Sequence, residues 1–135
     1  MRASRTRHGP EESWSRARRH YLRAARRPGG AHLSAMRLVV DYARSRRFDH
    51  HFHAYALPDF LAVSTASTPA DALTTPFLSI SVDEGGFFEL TLVSPESSGP
   101  VVPVRTPQTH LYQELDTGFA ALGELLVAHF QGSSE

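Results

Sequence analysis

Between Phe77 and Ser94 the chain alternates apolar and polar residues with a period of two, interrupted once by Asp83-Glu84-Gly85-Gly86. Leu78, Ile80 and Val82 fall on one side of the first run, and Phe88, Leu90 and Leu92 on one side of the second. Successive side chains of a strand point to opposite faces, so the two runs share an apolar face only if directly opposed positions are both even-numbered. Ile80 opposite Leu90 meets that condition and leaves Glu84-Gly85-Gly86 as a three-residue loop, with glycine taking the positive φ such loops need. A two-residue loop, Glu84-Gly85, would set Ile80 against Glu89 and turn one apolar face to water. Any fold of this chain must therefore contain a sheet with one side to cover.

The cover comes from the far end. Leu111, Leu115, Phe119, Leu122, Leu126 and Phe130 recur at fours and threes after Thr106-Pro107, which predicts an amphipathic helix lying on the sheet, with Gly132 as its stop. Gly118 and Gly123 each cost that helix up to about 1 kcal/mol relative to alanine, less than the burial of six large side chains supplies. His110 and His129 fall in its first and last turns, where the helix dipole disfavours a cation at the former and favours one at the latter.

Upstream, residues 51–57 and 60–65 read as two strands around the turn dipeptide Pro58-Asp59. Residues 67–76, rich in Ser, Thr, Ala and Pro, read as a loop. Val101, Val102 and Val104 suggest a short edge strand, since Pro103 has no N–H to give a central ladder. Leu33, Met36, Val39, Val40 and Ala43 share one helical face and predict a helix over 34–47, with a strand at Val39-Val40 as the alternative. Residues 10–27 carry helix signals: Pro10 at the start, Glu11 and Glu12 in the first turn, Arg26 and Arg27 before Pro28-Gly29-Gly30. Their apolar face is thin (Trp14, Ala17, Tyr21, Ala24, Ala25), which predicts weak docking unless an acidic surface receives the helix. The order implies an α+β fold: an antiparallel sheet of about four to five strands, the C-terminal helix on one face and the N-terminal helices flanking.

At 135 residues and 41% hydrophobic content the chain has material for one core. The expected division is an Arg-rich, partly helical arm at 1–33, a single α+β domain at 34–131 and a disordered tail at 132–135. All 14 basic residues are arginine, asparagine is absent and Ile80 is the one isoleucine, the bias of a GC-rich genome. Met36 lies inside the chain, so residues 1–33 stay open to two readings: a native arm, or upstream GC-rich sequence read ahead of the true start. The absence of cysteine excludes a disulfide framework, a thiolate nucleophile and a thiolate zinc site. No apolar run approaches the roughly 18 residues of a membrane span, and no signal-peptide h-region is present, so the expected address is cytoplasmic, with no membrane partner.

Charge is divided along the chain. Residues 1–47 hold 13 arginines against Glu11, Glu12 and Asp41, and residues 48–135 hold Arg105 against 11 acids. Such a division suits a basic arm on nucleic acid, a basic arm folded back on an acidic body, or a basic face offered to an acidic partner. Arg16, Arg18, Arg19, Arg23, Arg26 and Arg27 decorate the first predicted helix, with Trp14 and Tyr21 available to stack, which is the electrostatic footprint of a nucleic-acid binder without a helix-turn-helix, zinc-finger or RNP-type pattern. In Asp49-His50-His51-Phe52-His53, a strand would put His51 and His53 on one face with Tyr55, the geometry two imidazoles need to share a metal, with Asp49, His110 or Asp59 as a third ligand. The competing reading is exposed strand histidines that charge as pH falls toward 6. Gly85-Gly86 lacks the lysine and helix of a phosphate loop and reads as the hairpin turn, with Asp83 and Glu84 as its solvated tip. No Gly-x-Ser-x-Gly elbow is present.

With a credible core and no coherent catalytic set, the leading expectation is a small non-catalytic protein-interaction module without cofactor, like immunity proteins, chaperones or regulators by fold-level analogy alone. The alternatives are a nucleic-acid binder using the six arginines and a metal-dependent enzyme centred on His51 and His53.

Overall fold

The computed structural model describes residues 9–72, 74–94 and 103–133. Residues 1–8 of the predicted arm, Val101, Val102 and residues 134–135 lie outside the described residues, as do the side chains of His129 and Phe130. Helix α1 spans Pro10–Ala24 and α2 Met36–Ser45; strands β1 His53–Ala56 and β2 Leu61–Ser64 follow, then the short α3 Pro69–Ala72, strands β3 Phe77–Val82, β4 Phe88–Val93 and β5 Val104–Thr106, and finally α4 Leu111–Ser133. The five strands form one antiparallel sheet in chain order, with β1 and β5 at its edges. This is the α+β class, with α4 and the N-terminal helices forming the helical layer.

The central hairpin has the register that parity demands, with Ile80 opposite Leu90 and Val82 opposite Phe88. Gly86 takes φ +86°, its N–H donates to the Asp83 carbonyl, and the Asp83 N–H donates to the Phe87 carbonyl. Leu78, Ile80, Phe88 and Leu90 thus face the helices together with Leu61 and Val63, and all are buried. Leu111, Leu115, Phe119, Leu122 and Leu126 of α4 complete this core. Phe119 is its aromatic centre, stacked on Phe48 at 4.1 Å between centroids and tilted against Phe52 and Trp14.

Several boundaries differ from expectation, each for a local reason. A 3₁₀ turn at Ala31–Ala35 precedes α2, and Val39 and Val40 are helical and fully buried, so the strand alternative fails: helical spacing aligns them with Met36 and Ala43. In the loop at 67–76, Thr68 Oγ1 accepts the Asp71 N–H and starts α3, which tucks Ala72 against the outer side of the sheet. Among the described residues the last strand is Val104–Thr106, which runs past the expected end at Val104 in the register that pairs Arg105 with Glu89. Gly132 does not end α4: one glycine costs a helix about 1 kcal/mol but terminates it only when the backbone turns left-handed.

The largest difference concerns α1. Its narrow apolar face is fully docked: Trp14, Ala17, Tyr21 and Ala24 are buried, and Trp14 has no exposed surface. The contact is with the sheet edge. In the β1–β2 ladder Leu57 N–H donates to the Phe60 carbonyl, so the intervening residues Ala54 and Ala56 turn their N–H and C=O away from β2. Ser13 Oγ accepts the Ala54 N–H at 2.9 Å while donating to the Pro10 carbonyl, and Trp14 Nε1 donates to the Phe52 carbonyl at 2.8 Å. Helix α1 therefore seals an edge strand that would otherwise offer unpaired backbone to other chains. Small alanines bring the helix near enough for those bonds, so a face poor in large apolar residues docks tightly.

Candidate binding faces of the first helix

At 100° per residue, the residues of α1 and the turn after it fall into three sectors. Trp14, Ala17, Tyr21 and Ala24 point into the core. Arg19 and Arg23 stand opposite and Arg26 lies in the turn just beyond the helix; all three are exposed, and none is in an ion pair or side-chain hydrogen bond with a described residue. Arg16, His20 and Arg27 occupy the flank that overhangs β1.

The six arginines singled out by sequence are thus not one surface. Arg16 lies 3.8 Å from Glu12, and Arg18 Nε pairs with Asp41 of α2 at 3.1 Å. Arg19, Arg23 and Arg26 form the free outer ridge, and Arg27 turns toward a cavity. The stacking role allowed for Trp14 and Tyr21 is overturned, because both rings are consumed by the core. The basic segment folds back on the body through apolar burial and bonds to the β1 backbone; among the described residues, the arginine–carboxylate pair joining residues 1–47 to the acidic remainder is Arg46–Asp116 at 3.5 Å, away from α1.

Two cavities open along the flank. The larger, about 450 Å³, is walled by Tyr21 and Ala24 of α1, by Leu33 and Met36, and by Phe60 and Val82 from the sheet, with His20, Arg27, Asp59 and Ser81 as its polar members. Tyr21 contributes a hydroxyl that is buried without a hydrogen-bond partner, and burial pushes its phenol well above the ordinary range. The second, about 280 Å³, continues the seam past Arg16 and shares His20 and Ala56 with the first.

The histidine cluster has a different geometry from the one expected. Phe48–His50 is a 3₁₀ turn, and His51 follows it with φ −116° and ψ −21°, so it is not extended; only His53 is on β1. Strand alternation therefore does not align His51 with His53. His53 instead stacks on Tyr55 with parallel rings, and partial burial lowers its pKa, so it charges at lower pH than an exposed histidine. The close approaches within the cluster belong to His50, whose Nε2 lies 3.8 Å from both Asp49 Oδ1 and Glu11 Oε2. Among the described residues no group of three or more His, Cys, Asp and Glu side chains could hold a metal ion. His110 ends a 3₁₀ turn at Gln108–His110, ahead of α4, with its ring beside Thr109.

At the hairpin, Asp83 organises the turn. Its carboxylate accepts from the N–H groups of Gly85 and Phe87 and from Arg105 at 2.8 Å, and that arginine, which also lies over the Phe87 ring, is the main cause of the carboxyl's lowered pKa. Among the described residues, no helix is long and apolar enough to cross a membrane. No protein-family model, curated protein or solved structure matches the chain.

Proposed function

We propose that this chain is a protein-interaction module that presents the outer ridge of α1, Arg19, Arg23 and Arg26, to an acidic surface on a partner protein. The observation that carries the reading is the pairing of a fully buried Trp14 with exposed arginines on the far side of the same helix and in the turn after it, whose guanidinium groups have no partners among the described residues. A helix anchored through its core face fixes the backbone that carries those charges, so their engagement orders side chains but no main chain. A protein partner is favoured over nucleic acid because the two rings of this helix that could stack on bases, Trp14 and Tyr21, are buried.

The test uses the full chain as bait in extract of its native host, with and without nuclease, beside a variant carrying Arg19→Glu, Arg23→Glu and Arg26→Glu. The expected result is a stoichiometric protein partner retained by the wild type after nuclease and lost by the variant, whose circular dichroism is unchanged. Retention abolished by nuclease would assign the ridge to nucleic acid, and equal retention by the variant would remove the ridge from function.

A further inference from the structure

The geometry points to a second site on this molecule, in the cavity between α1 and the β1–β2 turn, that takes a small zwitterion with an apolar body, the chemistry of a free α-amino acid with an aliphatic or aromatic side chain. Its volume, about 450 Å³, falls in the range of small-ligand pockets and exceeds what such a molecule occupies. Leu33, Met36, Phe60 and Val82 offer the apolar body a place out of water.

The charges at the rim select the head group. Arg27 and Asp59 line the same cavity with opposite sign, yet neither pairs with the other or with any described residue. A cavity for a simple carboxylate would waste Asp59, and one for a simple amine would waste Arg27. A zwitterion engages both. Backbone groups repeat the pattern: Ala56, which borders both cavities, turns its N–H and C=O away from β2 toward this seam, and α1 does not take them up as Ser13 takes up Ala54. A donor and an acceptor on one residue match a carboxylate and an ammonium on one carbon. The site is separate from the outer ridge, since Arg27 lies on a different sector of α1 from Arg19, Arg23 and Arg26.

The experiment is a titration of the full-length, isotopically labelled protein with L-phenylalanine and L-leucine, followed by amide chemical shifts. Glycine, phenylacetate and phenethylamine serve as comparisons. Saturable shifts at Ala24, Ala56 and Ser81 with the two apolar amino acids are expected, with each comparison compound binding at least about tenfold more weakly, the scale of one charge-assisted hydrogen bond. Arg27→Gln and Asp59→Asn should each weaken phenylalanine by a similar factor, and Arg23→Gln on the ridge should leave it unchanged. Equal binding of phenylacetate, insensitivity to Asp59→Asn, or no saturable shift up to about 10 mM, a generous limit for a specific site, would overturn the proposal. None of these outcomes bears on the outer ridge.

Discussion

At Gly118, α4 passes so close to the sheet that an added Cβ would lie 3.2 Å from Leu78 Cδ2 and 3.6 Å from Leu90 Cδ2, whereas at Gly123 it would meet nothing within 4 Å. Both substitutions by alanine gain helix propensity, but only one must displace neighbours. Gly123→Ala should therefore raise stability by about 0.5–1 kcal/mol, and Gly118→Ala should fall at least about 0.5 kcal/mol short of it, measured by urea denaturation. The sequence showed two glycines of equal cost to the helix; which of them serves packing depends on the crossing point of helix and sheet, which no local pattern encodes. Tyr21 supplies a second residue-scale test. Its orphaned hydroxyl makes Tyr21→Phe stabilising by about 1 kcal/mol. Because burial raises the folded-state pKa above the unfolded one, the wild type should lose stability as pH climbs past about 10, where the unfolded chain ionises first. The decline should be shallower in Tyr21→Phe, with Tyr42 and Tyr55, also shifted upward, keeping the remainder.

Elements with a strong local pattern, the hairpins and α4, were legible in advance, and contacts that leave no such pattern were not. The β3–β4 hairpin follows from parity and from a glycine where φ is positive, so Gly86→Ala should cost about 1 kcal/mol or more, while Gly85→Ala, whose Cβ meets only ordinary contacts, should cost less. The helical reading of 34–47 and the first hairpin around Pro58-Asp59 follow similarly from spacing and turn chemistry. Helix α1 was misjudged because its hold on the fold combines a single tryptophan with backbone hydrogen bonds to Phe52 and Ala54, roughly forty positions on. Hydrophobic patterning registers neither. Trp14→Ala should cost about 3–5 kcal/mol, and deletion of residues 1–35 should leave a chain that fails to fold cooperatively in thermal denaturation. A cooperative transition near that of the full chain would contradict the edge-sealing role. His51 was misplaced because nothing in Phe48-Asp49-His50 announces a 3₁₀ turn that postpones β1 to His53. The cavity had no sequence signature at all, since its walls come from four separate stretches of chain.

Among the described residues most of the positive charge lies on the N-terminal helices and most of the negative charge on the rest of the fold. Basic side chains crowd α1 and α2, while Glu114, Asp116 and Glu124 lie along α4 and Asp83, Glu84 and Glu89 on the central hairpin. Apolar burial and the α1 edge bonds join these halves, and the exposed Arg46–Asp116 pair contributes little in high dielectric. Arg46→Gln should accordingly change stability by less than about 1 kcal/mol, and raising salt from about 20 to 500 mM should leave the unfolding midpoint nearly unmoved. A loss of several kcal/mol in either measurement would mean that attraction between the halves, and not the core, holds the helical layer in place. The sectors of α1 also bear on how such a chain can change over generations. Its inward side chains answer to the architecture alone and its outermost ones to whatever they meet outside. The recognition proposed for the ridge would then be free to drift: descendants could exchange its arginines for other residues while the scaffold beneath stays as it is.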